Sequence, residues 1–119
     1  MDEPAKGWDG AAVRRWLDGR ITAARADQVA ADRHGRGRQD DCDQAAAEEL
    51  VCTAMRSEQA TASQNGFIQE LTALQQRDVH VWRGVYDDDR FDRHVRSYAR
   101  RLVKMARSGS GFDNVRHYQ

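Results

Sequence analysis

Six side chains in this sequence have the chemistry of soft-metal ligands: His34, Cys42, Cys52, His80, His94 and His117. Locally encoded zinc sites place paired ligands about two to five residues apart, so that one turn presents both to the ion. None of the six is paired in that way, and CxxC, HxxxH and HExxH are all absent. No metal site is expected. Asp87-Asp88-Asp89 offers hard oxygen ligands, but it lacks the alternating ligands, the glycine and the distal glutamate of a calcium loop. A run of carboxylates just before an apolar-periodic segment suits a helix N-terminus, where it meets unpaired N–H groups and the positive end of the dipole.

Catalytic patterns fare no better. The sequence holds no GxSxG elbow and no phosphate-binding P-loop. Gly35-Arg36-Gly37 follows no strand and lacks a third glycine. Glu48, Glu49 and Glu70 are carboxylates that could act as general acids only beside a partner of defined geometry, and the sequence names none. No catalytic residue and no cofactor are assigned, and a non-enzymatic role is expected.

Charge is the feature that departs from a mixed surface. Residues 1–39 carry eight basic and six acidic groups, residues 40–89 three and eleven, and residues 90–119 eight and two. In the last of these, Arg93, Arg96, Arg100, Lys104 and Arg107 share an arc opposite the apolar residues Phe91, Val95, Tyr98, Ala99, Leu102 and Ala106. That arrangement predicts a helix packed on its dry side and basic on its wet side. Such a face can hold phosphates of a nucleic acid, pair with the acidic middle of this chain or of a second copy, or be an ordinary solvated surface. Arginine outnumbers lysine 17 to 2, a bias that a GC-rich bacterial or phage genome imposes on every helix it encodes. The chain's formal net charge is zero, whereas dedicated nucleic-acid binders usually carry a basic excess.

A second candidate lies at the C-terminus. After Ser108-Gly109-Ser110-Gly111, the residues Phe112, Val115 and Tyr118 recur at every third position. One face of this tail is expected to dock, either on the chain's own helices or in a groove of a partner.

The elements that must position these groups follow from apolar spacing. Val13, Trp16, Leu17, Ile21 and Ala24 fall on one arc and predict a helix over about 9–31. A second helix starts near Asp40, with Ala46, Ala47, Leu50, Val51, Ala54 and Met55 as its inner stripe. A third runs from Phe67 through Ile68, Leu71 and Leu74. Its continuation, Val79 to Val85, alternates like a strand, but Trp82, Val85 and Tyr86 also stay in helical phase with Phe67. A lone strand would have no partner for its backbone, so one helix to about Tyr86 is the preferred reading. The fourth spans about 87–107. His34–Arg38 reads as a loop and Ser63–Gly66 as a turn.

The expected fold is all-α: a single domain over 1–119 arranged as a small antiparallel bundle or paired helical hairpins of about four helices. Residues 1–8 form an N-terminal arm, 9–107 the helical core and 108–119 the tail. Leu, Ile, Val and Phe supply only 19 of 119 residues, so nine aromatics and small alanines must build much of the core, helped by a partner or a second copy. The acidic start and the lack of a long apolar run predict a cytoplasmic protein without membrane contact. Cys42 and Cys52, ten residues apart and so about 15 Å apart on one helix, are expected to stay reduced. The function these features support is that of a bacterial- or phage-type interaction or assembly protein, an adaptor or an inhibitor of a host machine. It would act on another protein or a second copy through its helix faces. Nucleic-acid binding through the last helix is the alternative.

Overall fold

The structure, a computed structural model, describes residues 8–34, 39–76, 88–108 and 112, and side chains are described for fewer of these. Five helices are present among them: α1 (Gly10–His34), α2 (Gln39–Met55), α3 (Glu58–Thr61), α4 (Gln64–Gln75) and α5 (Asp88–Ser108). The described residues contain no strand. The fold is a small all-α bundle. α1 lies along α2, α5 packs on both α2 and α4, and the short α3 bridges α1 to α4.

Each helix buries the stripe that its sequence marks. Val13, Trp16, Leu17, Ile21, Ala24 and Ala31 point inward from α1, and Ala46, Ala47, Val51, Cys52 and Met55 from α2. Phe67, Leu71 and Leu74 of α4 meet Phe91, Val95, Ala99, Leu102, Val103 and Ala106 of α5 in the same core. Ala54 departs from expectation: it is exposed, while Ala45, which lies about 180° round the helix from it, is buried. The small side chains of α1 and α2 let two long helices approach closely. The large side chains Leu17, Phe67, Leu71, Phe91 and Leu102, all fully inaccessible, supply most of the burial, at about 1.5–3 kcal/mol each.

The middle of the chain is divided more finely than its apolar spacing suggests, and two serines are the reason. Ser57 holds extended backbone (φ −70°, ψ 155°) and its hydroxyl accepts from the Ala60 N–H, starting α3. Six residues on, Ser63 (φ −145°, ψ 154°) accepts from the Gly66 N–H and starts α4. The Ser63–Gly66 turn expected from sequence is therefore the cap and first turn of a helix. An N-cap hydroxyl satisfies an amide that has no intrahelical carbonyl, which contributes about 1 kcal/mol. At the far end the Gln76 N–H turns to the Ala73 carbonyl at 3.2 Å, tightening the last turn, and α4 stops at Gln75. A single helix reaching Tyr86 is thus not formed. Val79–Val85 lies outside the described residues.

At the start of α1, Asp9 accepts from the Ala11 and Ala12 amides at 3.0 and 3.3 Å, a cap that leaves no doubt where the helix begins. α5 opens at Asp88, with Asp89 next in its first turn; Asp87 falls outside the described residues.

Candidate interaction surface

α5 presents the surface on which the charge pattern converges. With Phe91, Val95, Ala99, Leu102 and Ala106 facing the core, the 100° advance per residue carries Arg93, Arg96, Arg100, Lys104 and Arg107 to the opposite side. All five are exposed. Arg101, a sixth exposed cation, flanks the row about 100° round the axis from Arg100. From Arg93 to Arg107 the row runs about 21 Å along the axis.

Among the described side chains, one carboxylate pairs with a cation of this face. Asp92 accepts from Arg96 Nε at 3.0 Å, a pair one turn apart with the arginine side chain 46% exposed. Among the described residues no carboxylate pairs with Arg93, Arg100, Lys104 or Arg107. Two glutamates of α2 are engaged elsewhere: Glu48 holds Arg20 at 2.6 Å and Glu49 holds Arg25 at 2.9 Å, both on α1. Arg56, just past α2, reaches Asp18 of α1 at 2.7 Å. Pairing of the acidic middle with the basic last helix, one of the outcomes open from sequence, is not what the described ion pairs do. The described interhelical ion pairs join α1 to α2 and its flank, and α2 meets α5 largely through apolar side chains, with one polar contact between Cys52 and Tyr98.

The tail candidate divides. Phe112 is buried, 5% exposed, among three other rings: Trp16 at 5.1 Å, Phe67 at 5.7 Å and Trp8 at 6.0 Å between centroids, all edge-on. Trp8 also packs on Phe67 at 5.4 Å. Edge-to-face geometry sets the positive rim of one ring against the negative face of the next. Phe112 is thus docked on its own bundle, and Trp8, the last residue of the expected N-terminal arm, is half-buried and packs against the core. Val115 and Tyr118 lie outside the described residues.

A polar cluster that the sequence did not disclose joins α1, α2 and α5. The Cys52 sulfur lies 3.5 Å from the Tyr98 hydroxyl, beside the Arg20–Glu48 pair. Burial pushes the Cys52 thiol up to about 12, and the Tyr98 contact only partly opposes that. Burial, followed by the neighbouring Cys52, raises the Tyr98 phenol as well. Burial pulls Arg20 down, but the hydrogen bond and charge of Glu48 outweigh it and its pKa rises overall. Cys52 is therefore a protonated thiol at neutral pH, whereas a nucleophile or metal ligand needs thiolate. This cluster holds three helices in register. Among the described residues no group of three or more His, Cys, Asp or Glu side chains is placed to hold a metal ion, and no helix is long and apolar enough to cross a membrane.

Fold and surface together define a class: a small all-α bundle with a basic helix face. Comparison with protein-family models, with curated proteins and with solved structures gives no match for this chain.

Proposed function

We propose that this chain is a non-enzymatic interaction protein that binds an anionic partner through the exposed face of α5. The observation that carries this reading is the row Arg93, Arg96, Arg100, Lys104 and Arg107, exposed along α5 and, among the described residues, compensated by a carboxylate at Arg96 alone. The apolar stripes of the bundle are turned inward, and Val29 is the large hydrophobic side chain that stands exposed among the described residues, at 53%. Charge, rather than an apolar patch, is what the surface offers a partner. An adaptor or an inhibitor that docks on an acidic surface belongs to this class.

The reading is tested by retention on a sulfated polyanion resin. The native chain should elute at higher salt than the double variant Arg100→Glu/Lys104→Glu, with both showing the same helical circular dichroism. Equal elution would remove the α5 face as the binding surface.

A further inference from the structure

Given that reading of α5, the geometry points to a specific partner: we infer that the face binds the phosphate backbone of duplex DNA without regard to base sequence. The partner class follows from what accompanies the charge. Protein–protein hot spots set Trp, Tyr and Arg in a desolvated centre closed off by aromatic and apolar anchors. α5 offers the arginines but little to exclude water around them, because Phe91, Val95, Leu102 and Val103 are buried, Tyr98 and Met105 are half-buried against the core, and the exposed positions between the cations include Ser97. A phosphate backbone needs no such anchor, since release of condensed counterions supplies the affinity.

Spacing agrees. The five cations recur every three or four residues, so consecutive charges stand about 4.5–6 Å apart in rise over a total of about 21 Å. A duplex carries one phosphate per about 1.7 Å of axis counting both strands, so a row of that length meets an anionic surface at least as dense in charge as itself. Four of the five are arginines, whose planar fork matches two phosphate oxygens at once.

Single strands are disfavoured by the same surface. Proteins that hold them stack bases on exposed aromatic rings, and the one aromatic of α5 that approaches the surface, Tyr98, is half-buried against Cys52. Overall neutrality does not oppose the inference. Glu48 and Glu49 are each held against an arginine of α1 and Asp18 against Arg56, just past α2, so these carboxylates do not pair with the α5 row.

Fluorescence anisotropy with two 20-base-pair duplexes of unrelated sequence, the matching single strand and poly-glutamate decides the matter, all with the full chain. Both duplexes should bind within about twofold of each other. Their log–log salt slope should lie between about −3.6 and −4.5, from four or five phosphates. Arg100→Glu/Lys104→Glu should weaken binding at least tenfold while retaining the helical spectrum. Duplex binding that is absent at low salt, or unchanged in the folded double variant, overturns the inference. Poly-glutamate bound through α5 without duplex binding would sink the DNA partner but leave the anionic-partner reading standing. Neither probe bound would remove both. A single strand bound more tightly than the duplexes also overturns it.

Discussion

The indole N–H of Trp8 donates to the backbone carbonyl of Thr61 at 3.1 Å, across 53 residues of chain. On the same residue, the Thr61 hydroxyl accepts from Arg14 Nη1 at 2.8 Å and donates to the Ser57 carbonyl at 2.7 Å. Thr61 is completely buried. One four-residue helix, α3, thereby pins the start of α1 to the start of α4 and lets the aromatic group of Trp8, Phe67 and Phe112 assemble above it. Removing the hydroxyl leaves the Ser57 carbonyl without this donor and Arg14 without its acceptor. Thr61→Val should cost about 1–3 kcal/mol and Thr61→Ser clearly less, read as midpoints in urea. Equal midpoints for the two variants would show that the hydroxyl carries no weight.

Two glycines of α1 should respond to alanine in opposite directions. A Cβ at Gly10 would stand 2.5 Å from the Thr61 carbonyl oxygen, a backbone atom that cannot swing aside. Gly10→Ala should destabilise by about 1–3 kcal/mol as the helix start and α3 are forced apart. Gly19 is exposed in mid-helix and a Cβ there meets nothing within 4 Å. Gly19→Ala should stabilise by about 0.5–1 kcal/mol through backbone entropy. Thermal melts of the two variants against the native chain check the opposed signs.

The Cys52–Tyr98 contact predicts loss of stability in alkali. The Cys52 thiol rises from 9.0 to about 12 on folding, so above about pH 9 the unfolded chain releases a proton that the folded chain keeps. The stability this group contributes is full below pH 9 and lost as pH climbs toward 12; Tyr98, raised from 10.0, acts in the same sense. Melting temperature should fall steadily above pH 9, and Cys52→Ala should flatten that fall. Thiol titration offers a second readout: in native buffer half-exposed Cys42 should react and Cys52 should not, while urea exposes both. Rapid labelling of two thiols in native buffer would contradict the buried site.

How much of this was legible beforehand depends on the kind of signal. The inward stripes of α1 and α5 could be read from Val13–Ala24 and Phe91–Ala106 because a long amphipathic helix repeats its pattern over many turns. So could the outward turn of Arg93–Arg107, the mirror image of that stripe. The split into α3 and α4 could not, because it rests on Ser57 and Ser63 accepting from amides three residues on, whereas Ser97 lies inside α5 and Ser108 ends it, so the residue type alone does not mark a helix start. Ala54 was misplaced for a related reason: alanine carries too little apolar area to say which side of α2 it faces. The Arg20–Glu48–Cys52–Tyr98 cluster and the Thr61 knot join residues 28–53 positions apart, a separation at which residue type alone reveals nothing. The sequence did mark the acidic and basic segments, but not that α1 arginines would take the carboxylates of α2.

The final prediction concerns the C-terminal segment, whose role rests on Phe112. Its ring fills the space between Trp8, Trp16 and Phe67, so it closes one end of the bundle four residues after α5 ends at Ser108. Phe112→Ala would leave a cavity lined by aromatic edges and should cost about 3–5 kcal/mol. Phe112→Leu, which keeps much of the volume, should cost appreciably less. Deleting residues 109–119 removes the same ring and should lower the melting temperature at least as far as Phe112→Ala does. Sedimentation on the truncated chain separates two uses of the segment. An unchanged mass with a lowered melting temperature is expected from a side chain docked on its own bundle. A drop in mass from dimer to monomer would mean that the segment also joins copies. A truncation that melts with the full chain would show that Phe112 contributes nothing to the core, against its 5% exposure and its three edge-on neighbours.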